Sequence, residues 1–371
     1  MRLLRRTAAI LATSALVLGA CTGDDGDEGA DTTEPSADAG DDGGDGGSNG
    51  GDGDTLAAVQ DAGVVRCGTR DELPGFAVLD SGGEHVGFDA DFCRVIAAAV
   101  LGDAEAVEFV DLETDDRFTA LQSGEVDVLV RNTTWTATRD GAEGATFLQP
   151  NFYDGQGMMV ATDSGFDSLE DLAGQVVCVA GGTTTEGNVA TEFTRLGLEL
   201  PEVLPFESPD LLQSAFQEER CDGWSSDLSQ LTGFRSTYPD GPDSLVIFPD
   251  AFSKEPLAPA VRDGDTEWAQ VVNWAVLATI QAEEFELTSE NVDQVLADTD
   301  NPSIRQFLGE AGEDAVLDPG LGLPTDFAYQ VVSQVGSYAE IYEEHITPLG
   351  LERGLNSLWT EGGLLYAPPY R

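Results

Sequence analysis

The chain has 371 residues and 41% hydrophobic content, enough to bury a sizeable core in one or two domains. Its formal net charge is −52, from 69 Asp and Glu against 17 Lys and Arg, with Lys254 the single lysine. Such a chain is repelled by nucleic acid and by anionic lipid headgroups. With His85 and His345 the only histidines, a histidine-rich metal site or a Ser-His-Asp arrangement has little to draw on. The scarcity of lysine fits adaptation to high salt and fits an acidic genomic bias as well.

Residues 1–21 read as a targeting segment. Arg2, Arg5 and Arg6 precede an apolar run over 8–18 that is too short to span a bilayer. The run ends in Leu18-Gly19-Ala20-Cys21, which resembles a bacterial lipobox with Cys21 as the lipidated first residue of the mature protein. Residues 22–54 are dominated by Asp, Glu, Gly, Ser and Thr and lack any basic or aromatic residue. They bury too little apolar surface to offset chain entropy, so a disordered, self-repelling stalk is expected. No later stretch is long and uncharged enough to predict a membrane helix.

In the folded part, residues 64–69 read as a strand, followed by a loop over 70–76 of the kind that lines a pocket mouth. Gly87-Phe88-Asp89 opens a helix with Asp89 as the expected N-cap and Phe92, Val95, Ile96 and Ala99 on one face. A strand over 107–110 and a helix over 115–122, ended by Gly124, lead to the most informative stretch, VDVLVRNTTWTATRD at 126–140. Val126, Val128, Leu129 and Val130 predict a buried strand, and its tip turns polar through Arg131, Asn132, Thr134 and Arg139. Hydroxyls and guanidiniums at a strand's carboxyl end suit a ligand crevice, where an arginine can grip a carboxylate with two parallel hydrogen bonds.

A second, similar unit follows. Val176–Ala180 reads as a buried strand, and Gly181-Gly182-Thr183 leads into a helix on which Thr183 and Glu186 form a predicted capping box. Such a helix start is a ready anion site, although no lysine follows as a phosphate-binding Walker loop requires. A strand over 203–206, a helix over 208–220 and a strand over 223–226 end at Asp227, which either caps the next helix or faces a ligand. Two α/β units with polar strand ends predict two lobes facing a cleft, joined by extended crossings at 152–157 and 252–256. The expected division is 55–154 for the first lobe, 155–254 for the second, and 255–371 for the return to the first, with a long apolar helix over 268–281. Four cysteines remain after Cys21, and the pairing expected is Cys67–Cys93 and Cys178–Cys221, one within each lobe. No CxxC spacing supports a zinc or redox site.

The blocks VRCGTRDELPGF, GFDADFCRVIAAAV, RFTALQSGEVDVLVRNTTWTATRD, CVAGGTTTE, SKEPLAPAVRDGD and GLNSLWTEGGLLYAPPYR resemble those of general L-amino-acid-binding proteins of polar-amino-acid ABC importers. The resemblance runs from about Val64 to Arg371. It implies an α/β, two-lobed periplasmic-binding-protein type II fold, each lobe a mainly parallel sheet flanked by helices, that closes on one free amino acid without a cofactor or metal. By that resemblance Arg139 clamps the α-carboxylate, with Thr134 and Asn132 beside it and Thr183 and Thr184 contributing from the second lobe. Asp227 takes the α-ammonium, while Glu72 and Thr114 stand where narrower relatives carry aromatic residues against the ligand's side chain. Ala180 replaces a polar residue common before the Gly-Thr turn, and residues 285–325 exceed short relatives in length. The implied partners are a free L-amino acid, the transmembrane subunits of an ABC permease and, through lipid on Cys21, the outer face of the cell membrane, with the protein a monomer.

The competing expectation is a secreted cyclohexadienyl- or arogenate-dehydratase-like enzyme on the same fold, for which Glu72 is the candidate proton-transfer group. A ligand-sensing ectodomain needs a membrane helix that the sequence does not suggest.

Overall fold

A computed structural model describes residues 54–310 and 318–370. The expected targeting segment with Cys21, and the stalk up to residue 53, lie outside the described residues. Among the described residues, no helix is long and apolar enough to cross a membrane.

The first sheet has the strand order Val107–Asp111, Val65–Thr69, Val128–Leu129, Ala260–Arg262, Ala145–Phe147. Its first three strands are parallel, and Ala260–Arg262 runs antiparallel to both of its neighbours. The second sheet repeats the plan as Glu202–Phe206, Val176–Ala180, Gly223–Asp227, Gln156–Ala161, Leu245–Ile247, again with three parallel strands and then antiparallel ones. Both sheets are mainly parallel because helical crossovers join their central strands, and their apolar β-branched runs are covered by helices on each face.

Three local expectations are corrected. The helix over Phe88–Leu101 is capped by Gly87 and not by Asp89. Gly87 has φ +131° and faces the Phe76 carbonyl, where a Cβ has no room. Asp89 instead lies buried in the first turn and accepts a hydrogen bond from the Asn132 amide at 2.8 Å. The predicted strand over 126–130 pairs only at Val128–Leu129, since Asn132 turns the chain with φ +36° directly beyond it. The Thr183–Glu186 capping box is absent: the helix is Thr185–Leu196, and the Thr183 hydroxyl donates back to the Ala180 carbonyl at 2.7 Å. A helix at Thr55–Ala62, which the polar flank concealed, buries Leu56 and Val59.

Between the two sheets the chain crosses twice, and the crossings pair with each other. Phe152–Asp154 runs antiparallel to Glu255–Leu257, with Asp154 opposite Glu255 and Tyr153 opposite Pro256. Pro256 has no amide to donate, which an edge position tolerates. The free edge of the first crossing is held by one side chain from the C-terminal block: Asn356 Oδ1 accepts from the Tyr153 amide at 2.7 Å and its Nδ2 donates to the Tyr153 carbonyl at 3.1 Å. A side-chain amide thus substitutes for a third strand.

Cys67 lies against Cys93 with Cα atoms 6.0 Å apart, and Cys178 against Cys221 at 5.7 Å, both within disulfide reach. The pairs span 26 and 43 residues, each joining a sheet strand to the adjoining helix or turn of the same lobe. By the chain-entropy estimate each bond contributes about 4 kcal/mol. Replacing Cys178 and Cys221 by Ser is expected to lower the denaturant unfolding free energy by about that amount; peptide mapping that recovered a cross-lobe pair would overturn the assignment.

Candidate functional site

The carboxyl ends of the parallel strands of both sheets face one cavity. From the first lobe, Arg70 follows strand Val65–Thr69, Thr114 follows Val107–Asp111, and Arg131, Asn132 and Thr134 follow Val128–Leu129. Arg139 enters from the helix Ala137–Ala142, whose N-cap Thr136 accepts from the Arg139 amide at 3.2 Å. From the second lobe come Thr183, Thr184 and Thr185 after Val176–Ala180, and Ser226 and Asp227 from Gly223–Asp227. Trp224 and Phe234, stacked with centroids 5.2 Å apart, add an apolar wall.

Seven of the eight residues expected at the site therefore line one cavity: Thr114, Asn132, Thr134, Arg139, Thr183, Thr184 and Asp227. Glu72 stands outside the lining, on the small sheet with Ala77–Leu79, and its carboxylate lies 3.4 Å from Arg70 Nη2. Sequence reasoning missed Arg70 and Arg117. Arg70 had a signal, because it occupies the same post-strand place as Arg131. Arg117, on the short helix Arg117–Ser123, had none.

The strand tip is held to the crossing strands. The Trp135 amide donates to the Pro256 carbonyl at 2.8 Å, and the Ala258 amide to the Thr133 carbonyl at 3.1 Å. Arg139 Nη1 donates to the Thr134 carbonyl at 2.9 Å, which fixes one side of its guanidinium plane. Arg131 Nε donates to the Leu112 carbonyl at 2.8 Å and its Nη2 to the Thr114 hydroxyl at 3.2 Å. On the facing lobe, Thr184 donates its hydroxyl to Glu255 Oε2 at 3.0 Å. Gly182, at φ +65°, packs against Asp115 and Thr114 of the first lobe, and its carbonyl accepts from Arg117 Nη2 at 3.2 Å. A side chain at 182 would be strained at this positive φ and would displace the Asp115 carboxylate.

Asp227 occupies the cap position of the helix Leu228–Ser236 yet does not cap it. Asp154, from the first crossing, accepts from the Ser229 amide at 3.2 Å and takes over that role. The Asp227 carboxylate is left toward the cavity, accepting from Gln230 Nε2 at 3.0 Å. Burial, and then the nearby Asp154 and Glu255 carboxylates, push its pKa well above the usual carboxylate value. Burial likewise raises Asp154 to about 6. Burial lowers the Arg139 guanidinium, with Glu255 and Asp227 opposing the shift. The cavity thus brings together a held guanidinium from the first lobe and, from the second, a helix start and a buried carboxylate.

The first to the last of these features lie within residues 65–291, which match the description of the bacterial extracellular solute-binding proteins, family 3. The general L-amino acid-binding periplasmic protein of Rhizobium johnstonii is 45% identical over 85% of this chain and 93% of its own length. A glutamate/glutamine/aspartate/asparagine-binding protein of Rhodobacter capsulatus is 44% identical over 85% and 93%. Among solved structures, an ABC-transporter periplasmic binding protein from Brucella ovis with glutathione bound is similar at 43% identity and a TM-score of 0.82, covering 85% of this chain and 99% of that one. On this evidence the chain belongs to the bacterial extracellular solute-binding proteins, family 3, with their two-lobed periplasmic-binding-protein type II fold.

Proposed function

We propose that the protein captures free L-amino acids in the cavity between its lobes and delivers them to the transmembrane subunits of an ABC importer. The observation that carries this reading is the meeting of the Arg139 guanidinium and the Asp227 carboxylate in one cavity lined from both lobes. Every free amino acid has a carboxylate for the first and an ammonium for the second. Thr134, Asn132, Thr183 and Thr184 supply neutral polar groups around them, and Thr114 faces the variable side chain. The names of the Rhizobium and Rhodobacter relatives point the same way.

Binding without turnover is part of the proposal. A dehydratase-like enzyme needs a proton-transfer group over the substrate, and Glu72, its candidate, is engaged with Arg70 outside the cavity lining. We further propose that the protein acts as a monomer, exported and held at the outer face of the cell membrane by lipid on Cys21, with residues 22–54 as its tether. Stable attachment takes more than one acyl chain. A Cys21→Ala protein is expected in the soluble fraction after cell fractionation, and its persistence in the membrane fraction would sink the anchor.

Arg139 reads the part that all amino acids share. Hydrogen bonds to charged groups contribute about 1.5–3 kcal/mol each, so Arg139→Ala is expected to weaken binding roughly 10- to 200-fold. Calorimetry with several amino acids should show a similar loss for each; a loss confined to one ligand would make Arg139 a side-chain reader.

Asp227 links binding to pH. Its pKa is raised in the free protein, and an ammonium partner favours the ionised form, so binding releases a proton and affinity falls as pH drops below the free-state pKa. Calorimetry in buffers of different ionisation enthalpy should register that release. An enthalpy independent of buffer would show that Asp227 is already ionised or does not meet the ammonium.

A further inference from the structure

Four of the chain's 17 basic residues, Arg70, Arg117, Arg131 and Arg139, line this single cavity, and each is at most 9% exposed. In a protein of net charge −52, such a concentration of buried positive charge needs an electrostatic reason. Among the described residues, Asp227 is the only carboxylate in the lining. If Arg139 takes the ligand's α-carboxylate and Asp227 its ammonium, as proposed above, those charges cancel and three guanidiniums remain.

Their protein partners are mostly neutral. Arg131 donates to the Leu112 carbonyl and the Thr114 hydroxyl, and Arg117 donates to the Gly182 carbonyl. Arg70 donates to Asn132 Oδ1 at 3.3 Å and reaches Glu72 only at 3.4 Å. Asp89, Glu113 and Asp115 stand nearby, but among the described residues none of them forms an ion pair with any of the three. Among the described residues, the buried Nε atoms of Arg70 and Arg117 find no hydrogen-bond partner. A buried charge answered only by dipoles costs free energy that an anion in hydrogen-bond reach recovers. Burial and mutual repulsion lower the pKa of Arg117 well below its usual value, with Arg139, Arg131 and Arg70 all contributing.

We propose that the preferred ligand carries a second carboxylate, held by Arg70, Arg117 and Arg131 while Arg139 and Asp227 hold its α-carboxylate and ammonium. The planar fork of a guanidinium fits a carboxylate with two parallel hydrogen bonds, and a neutral carboxamide of the same shape presents one acceptor and two clashing donors. This deepens the amino-acid reading and rests on it. The chemistry of one ammonium and two carboxylates occurs in free acidic amino acids and in γ-glutamyl peptides.

The test is calorimetry on the wild-type protein with L-glutamate, L-glutamine, L-aspartate, L-asparagine, L-alanine and glutathione. Glutamate should bind roughly tenfold or more tightly than glutamine, and aspartate than asparagine. Arg117→Gln and Arg131→Gln, made separately, should narrow those ratios; if neither folds, the wild-type ratios alone decide. Equal or tighter binding of the amides would overturn this inference and leave the amino-acid function standing, as would ratios unchanged in both folded variants. Binding of none of the six would overturn both. Tighter binding of glutathione than of glutamate supports the second carboxylate and assigns it to a peptide, whereas the reverse order assigns it to a free amino acid.

Discussion

The site depends on the antiparallel pairing of Phe152–Asp154 with Glu255–Leu257. Each strand of that pair projects a carboxylate toward the second lobe, Asp154 half-buried and Glu255 buried. Asp154 caps the helix after Asp227 and so leaves Asp227 for the cavity. Glu255 gathers the Thr184 hydroxyl and the Asn188 amide, the latter at 2.7 Å, and fixes the helix start on the far wall. The carbonyl of Pro256 and the amide of Ala258 hold the strand tip that carries Asn132, Thr134 and Arg139. Both walls of the cavity are therefore referenced to one short ribbon. A ribbon of two three-residue strands is a weak element by itself. Asn356, bonded to both backbone groups of Tyr153, braces it from the C-terminal block.

The same ribbon sets the electrostatics. Asp227 and Glu255 are almost fully buried and Asp154 is half-buried beside them, so burial and like-charge repulsion raise Asp227 far above the usual carboxylate range. Across the cavity the arginines repel one another for the same reason, and burial with the Arg70 charge lowers Arg131 to about 9. Acids crowded on one side and guanidiniums on the other make a cavity with a strong internal dipole and poorly compensated ends. A zwitterion laid along that dipole completes it. Lobe closure then has a driving force, because a ligand bridging both walls stabilises only the state in which they face each other.

Glycines are used where the lobes or chain segments approach most closely. Gly182 lets the second lobe come against Asp115 and Thr114, and Gly87 lets the helix Phe88–Leu101 start against the Phe76 carbonyl. That helix brings Asp89 under Asn132, holding a non-glycine residue at positive φ where the strand tip must turn. The strained backbone at the site is thus supported from the core rather than from solvent.

Much was legible in the residues alone. Short apolar, β-branched runs placed the strands Val65–Thr69 and Val176–Ala180, because those elements are dictated by local patterning. Polar residues at strand ends marked Arg139, Thr134, Asn132, Thr183 and Asp227, and the cysteine spacing suggested a bond in each lobe. Tertiary structure alone decided the rest. Capping at Asp89 was misread because the distant Asn132 amide engages its carboxylate, whereas at Thr183 one local bond replaces another, the hydroxyl donating to the Ala180 carbonyl three residues back. Whether Asp227 capped a helix or faced the cavity depended on Asp154, 73 positions earlier, since the Asp154 carboxylate takes the Ser229 amide. Arg70 and Arg117 joined Arg131 and Arg139 only when the sheet brought separate strand ends together. Local sequence determines which groups a strand or helix carries; which of those groups lose water and meet one another is set by contacts distant in the chain, and those require the folded whole.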